Sequence, residues 1–184
     1  MASTTLTLLP GLRGRQWRIG DFSVVVSPRT EPPFPVQAFL LEEDTWRVLS
    51  APVRLPPMEE HPVRVMTDLI GQRPQRPGTL LIRGRRWEAI VVDLEQEPIC
   101  RQEWVRQASM RALAAAADRR LRTLALPLLG SRHGGLTPAR SLQTLLEVLQ
   151  ETPGNGALKV WLQVPASAIG PLTARVAAAA ASPS

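Results

Sequence analysis

The residues of this chain best equipped for chemistry stand in one short loop. Between an apolar run, LRTLALPLL (121–129), and a helix-like segment opening at Thr137-Pro138 come Gly130, Ser131, Arg132, His133, Gly134 and Gly135. Glycines let a backbone turn tightly and approach a ligand, and the first amides of a following helix have no partner within it. That construction suits an anion, a diphosphate above all. Arg132 adds a guanidinium that can pair with phosphate as a fork, or a side chain that fills the place of the ligand. Imidazole is the side chain suited to general-base work near neutral pH, so His133 reads either as a base or as an ordinary loop histidine.

Three other groupings have a chemical and a structural reading. Cys100 stands at a helix start, where a thiolate is favoured, or serves as a small apolar filler. Glu42, Glu43 and Asp44 form a run of acids that suits magnesium or is simply solvated surface. Arg83, Arg85 and Arg86 fall in a hairpin turn beside Trp87. They suit nucleic acid through phosphate contacts and a stacking ring, or form a solvated turn next to a core tryptophan. One cysteine with two distant histidines, His61 and His133, builds neither a disulfide nor a structural zinc site, so no metal is expected.

Charge narrows the partners. The chain carries 22 basic and 16 acidic side chains in 184 residues, for a net charge of +6. Residues 73–140 hold 13 of the basic groups and 6 of the acidic ones, so the surplus lies in the middle third. A local excess of this kind fits an anionic partner, either a phosphate-bearing small molecule or nucleic acid, although a coding bias toward arginine produces the same excess. Hydrophobic residues make up 44% of the chain, enough for a buried core. No stretch reaches the roughly 18 to 20 apolar residues of a membrane-spanning helix. The first residues, MASTTLTLLPGLRGR, lack the pattern of a secretory signal, so the expectation is a cytoplasmic protein without membrane contact.

The elements that must position these groups alternate. Residues 3–9 and 16–27 are β-rich runs, SPRTEPPFP is a loop, and Val36 to Leu41 is a strand. Met58 to Ile70 suggests a short helix. TLLI (79–82) and WEAIVVDL (87–94) read as strands joined by RGRR, the second buried on both faces. A helix of roughly 20 residues follows from Cys100 to Arg120, apolar nearly all round except for a strip of Gln107, Arg111 and Asp118. Residues 121–129 form a buried strand. Thr137 caps a helix reaching Glu151, whose Leu142, Leu145, Leu146 and Leu149 make one leucine face. LKVWLQV (158–164) is an alternating strand, and a last helix spans about Pro171 to Ala180. Strands alternating with helices imply an α/β fold with a largely parallel sheet covered on both faces.

On these residues the chain resembles the macro domains, the α/β modules that bind ADP-ribose. The resemblance covers about 77–164 best: ALPLLGSRHGGLTP is similar to the family's apolar strand and diphosphate loop, and PGTLLIRGRRWEAIVVDL to its strand pair. VQAFLLEED (36–44) is similar in register to the strand that ends in the family's asparagine motif, and IGDFS (19–23) to the element whose aspartate meets adenine. The resemblance implies a three-layer α/β/α fold with a mixed, largely parallel sheet, in a single domain over 1–184. Its 1–57 part is divergent and β/loop-rich, and 181–184 is a frayed tail. It implies a ligand-binding set of Gly130, Ser131, Arg132, His133, Gly134, Gly135 and Asp21.

The asparagines are replaced by Leu41, Glu42, Glu43 and Asp44, while Ser131 and Arg132 stand for threonine and glycine in the loop. The expected function is therefore binding of ADP-ribose or a related nucleotide without catalysis, with no cofactor. The alternative is a macro-fold scaffold that engages a protein partner or associates with itself, with nucleic-acid contact through Arg83, Arg85 and Arg86.

Overall fold

The computed structural model describes residues 16–49, 73–154 and 156–181. The expected strand at 3–9 and helix at Met58–Ile70 lie outside the described residues. Seven strands form one sheet: β1 (Gln16–Ile19), β2 (Phe22–Pro28), β3 (Ala38–Asp44), β4 (Leu80–Arg83), β5 (Arg86–Val92), β6 (Thr123–Pro127) and β7 (Lys159–Val164). Three helices accompany them: α1 (Gln102–Asp118), α2 (Pro138–Glu151) and α3 (Ile169–Ala181), the last preceded by a 3-10 turn at Ala166–Ala168. The strand order is β1-β2-β7-β6-β3-β5-β4. The five inner strands run parallel, and β1 and β4 add antiparallel edges.

Sequence explains both edges. The 16–27 run is not one strand but a hairpin, because Gly20 adopts φ +52° and brings Ile19 opposite Phe22. At the other edge Gly84, at φ +57°, lets Arg83 pair with Arg86. Positive φ is inexpensive only for glycine, so each hairpin turns where one is available.

The largely parallel sheet is buried on both faces, and the three described helices all lie on one of them. One face presents Val24, Val160, Leu124, Leu40 and Ala89 to a cluster containing the apolar sides of all three helices. On the other face Val25, Ile90, Ala125 and Trp161 are also buried. Trp161 thus departs from the simple alternation read for β7, and its indole N–H donates to the Ser27 carbonyl (3.3 Å). The leucine face of α2 is buried as its spacing predicts, and Thr137 accepts the Arg140 amide (3.2 Å) as the N-cap. The polar strip of α1 has a structural use: Arg111 donates to the Gly78 carbonyl, and Gln107 packs on that glycine.

Candidate functional site

In an open parallel sheet the strand ends that point one way leave a crevice where loops and helix N-termini converge. Here a cleft of about 600 Å³ opens over the carboxyl ends of β2, β3, β6 and β7 and the start of α2. Its floor is apolar, with Leu40, Leu41, Pro127, Leu128 and Val164, and among the described residues its lining includes the charged Arg29, Glu42, Arg86 and Arg132, with His133 beside them. Arg29 follows directly on β2 and is exposed. Arg86 reaches the cleft from β5 and also lies 3.4 Å from Glu88, a buried carboxylate that Arg47 holds from the other side at 3.0 Å.

The Gly130–Gly135 loop borders the cleft, but its six residues divide. Ser131, Arg132 and His133 line the cleft, whereas Gly130 and Gly134 face inward. A Cβ on Gly130 would lie 2.7 Å from the Cys100 sulfur and 2.8 Å from Leu136, and one on Gly134 only 2.5 Å from the Cys100 Cβ. These glycines are needed for close packing on Cys100 and Leu136, while Gly135, at φ +74° over open space, serves the turn. Cys100 is the apolar filler of its two readings. It is buried, and burial first and the Glu42 charge second push its thiol up to about 12.

The amides of Gly130, Ser131 and His133 are already engaged. The amides of Gly130 and His133 both donate to the Glu42 carboxylate, at 2.7 and 2.8 Å. His133 Nδ1 lies 3.3 Å from the same carboxylate, outside hydrogen-bond geometry. Ser131 turns its amide and hydroxyl to the Leu128 carbonyl, at 3.1 and 2.6 Å. Glu42, read from sequence as a candidate magnesium ligand or a solvated acid, has a side chain only 6% exposed and seated in the loop. Among the described residues no group of three or more metal-ligating side chains comes together. No local signal in LEED marks Glu42, because the contact joins residues 88 and 91 positions apart.

The neighbours of Glu42 also have internal roles. Asp44 accepts the amides of Trp46, Val48 and Leu49 at 2.7–2.9 Å, which folds the chain back after β3. Burial works to raise its pKa, but those amides, with the Glu43 side chain, outweigh it and hold the carboxyl below its ordinary value. Glu43 is fully buried.

Asp21 is not brought to the cleft. It sits in the β1–β2 turn, at the start of β2 rather than its end, and its carboxylate accepts the Gly154 amide (2.8 Å). The same turn packs on the end of α2, where a Cβ on Gly20 would meet the Leu149 carbonyl at 2.5 Å. The cleft lies at the other end of that helix, on the order of 20 Å away for 14 residues. The strand end that does enter the cleft carries Arg29.

The three turn arginines do not make one surface. Arg85 donates to the Val36 carbonyl, Arg86 faces Glu88 and the cleft, and Arg83 is exposed. Trp87, expected beside them as a stacking ring or a core residue, is 1% exposed with its indole N–H on the Gly84 carbonyl (3.2 Å), which makes it core.

This fold is shared with solved macrodomains. The macrodomain of Thermus aquaticus DarG is similar over 78% of this chain and 98% of its own, with a TM-score of 0.52 and 22% identity. A point mutant of the Oceanobacillus iheyensis macrodomain with ADPR gives a TM-score of 0.60 at 14% identity, covering 89% of this chain and 97% of the other. The macrodomain of the same organism with ADP gives 0.59 at 14%, covering 89% and 94%. The sequence matches no family model and no curated protein. The chain therefore has a macro-domain-like fold, carried by a sequence far from those of its structural neighbours. Among the described residues no helix is long and apolar enough to cross a membrane.

Proposed function

We propose that the cleft over β2, β3, β6 and β7 binds a nucleotide of the ADP-ribose class without hydrolysing it. The observation that carries this reading is the lining of the cleft, where, among the described residues, the guanidinium groups of Arg29 and Arg132 are exposed above an apolar floor while the Glu42 carboxylate is tucked under the loop. An apolar floor suits a base or a sugar face, and a cationic lining suits phosphate. Two structural neighbours, described with ADPR and with ADP, support the same ligand class. A non-catalytic role is supported by Leu41–Asp44, which supplies no asparagine at the end of β3 and whose acids are committed to backbone amides or buried. Isothermal titration of ADP-ribose, with AMP and ADP as controls at low and moderate salt, tests the reading. Micromolar binding that requires the distal ribose supports it; no heat with any of the three overturns it.

A second reading, a scaffold for a protein partner or for self-association, is favoured by one observation: Glu42 already holds two donors of the loop. Light scattering of the pure protein and co-purification from the native host test it, and a lone monomer in both counts against it. Contact with nucleic acid through Arg83, Arg85 and Arg86 has less support, since two of the three guanidinium groups face acceptors of the chain itself.

A further inference from the structure

Two backbone amides converging on one carboxylate at 2.7 and 2.8 Å form a seat for an anion. In this protein the anion is a side chain of the chain itself, brought by the end of β3 under the loop that follows β6. The Glu42 side chain is 6% exposed, so little water screens its charge, and a phosphate oxygen entering the same seat would meet a carboxylate oxygen at contact distance. Neighbouring donors are also committed to the chain. The Ser131 amide and hydroxyl turn inward to Leu128, the Leu136 amide donates to the Gly130 carbonyl (3.0 Å), and Cys100 blocks movement of the loop toward the core. Among the described lining residues, Arg29 and Arg132 are the exposed positive side chains.

We propose that Glu42 is the specificity-determining residue of the cleft: a built-in carboxylate that occupies the anion seat of the Gly130–His133 loop and sets the cleft against ligands that place a diphosphate there. The inference rests on the cleft being a nucleotide site, as proposed above. Its consequence is a gain of binding on mutation. Removing the charge frees donors that are already aimed at an anion, so Glu42→Gln, and more so Glu42→Ala, tightens diphosphate binding rather than weakening it.

The experiment is calorimetric titration of ADP-ribose into the native protein, Glu42→Gln, Glu42→Ala and a control, Glu95→Gln. The control removes one exposed acid remote in sequence from the loop. Circular dichroism and thermal melting of each protein establish that it is folded. The expected result is affinity at least about tenfold tighter in a folded Glu42 variant than in the native protein, with the control unchanged; tenfold corresponds to about 1.4 kcal/mol.

Binding by the variants alone supports the role of Glu42 while overturning the reading of the native cleft as a working nucleotide site. Native binding that the Glu42 variants leave equal or weaken overturns the role of Glu42 and leaves the nucleotide reading standing. No binding by any protein overturns both. An equal gain in the control reduces the effect to net charge and also overturns the inference. Should neither variant fold, native affinity for ADP-ribose decides: submicromolar binding overturns an occupied seat, and binding at or weaker than about 10 μM supports it.

Discussion

Gly134 lies against the side chain of Cys100, so closely that a Cβ on the glycine would stand 2.5 Å from the Cys100 Cβ and 2.8 Å from its sulfur. A glycine that looks like part of a ligand cradle is thus also a packing residue, since the loop cannot sit down on α1's entry with anything larger there. Gly134→Ala should cost about 1–3 kcal/mol through overpacking and lower Tm by several degrees. Cys100→Ala in the same chain should not restore the loss, because alanine keeps the atom that clashes. A Gly134→Ala protein as stable as the native one would show that the loop moves freely off Cys100. Valine at this position is a poor probe of ligand binding, because loss of binding and loss of loop structure would come together.

Cys100 itself carries a pH dependence. Its thiol is raised from 9.0 to about 12 by burial and by the Glu42 charge, so the folded protein holds that proton more tightly than the unfolded chain. The associated stability is fully present below pH 9 and is lost as pH rises toward 12. Denaturant melts at about pH 8 and about pH 10.5 should show a decline that Cys100→Ser reduces. A thiol reagent at about pH 8 should label the native protein far more slowly than the denatured one. Rapid native labelling would contradict a buried, protonated thiol.

Asp44 has the opposite sign. Its carboxyl is held below 3.8 because the Leu49, Trp46 and Val48 amides, joined by the Glu43 side chain, outweigh the opposing effect of burial. A carboxyl depressed on folding contributes stability that is present above about pH 4 and lost as pH falls through the folded value. Asp44→Asn keeps one acceptor oxygen and puts a donor where the other faced the Val48 and Leu49 amides. The loss should be about 1–3 kcal/mol near pH 7 and smaller near pH 3. Urea melts at both pH values measure it, and an equal loss at the two would remove the charge from the explanation.

How far the sequence carries depends on the range of the interaction. Thr137 as N-cap, the leucine face of α2 and the β4–β5 hairpin are legible because they are written in spacings of two to seven residues. The largely parallel sheet follows from the order of those elements, and the macro-like resemblance from the loop after β6. What stays hidden is long-range. Nothing in LEED says which acid will meet Gly130 and His133, and Glu42 finds those partners only once β3 lies beside β6. Asp21 is placed by a motif of five residues, whereas its position depends on whether the 16–27 run is one strand or two. Gly20 is the residue that decides it, through a positive φ that a pattern of β-formers does not display.

That hairpin gives the register of the cleft a direct test. Asp21 holds Gly154 at the start of β2 and β7, and Arg29 stands at the end of β2 where the cleft begins. A strand of seven residues separates them, about 20 Å of extended chain. Asp21→Asn should leave ADP-ribose affinity unchanged and lower stability by about 1 kcal/mol or less, since the hydrogen bond is exposed. Arg29→Ala should leave stability nearly unchanged and weaken ADP-ribose binding by about tenfold, with a shallower dependence on salt, because a charged contact to phosphate is lost. Parallel calorimetry and thermal melts on the two proteins separate these effects. The opposite pattern, with affinity lost in Asp21→Asn and kept in Arg29→Ala, would put the nucleotide at the other end of the sheet and leave the carboxyl-end cleft without a ligand.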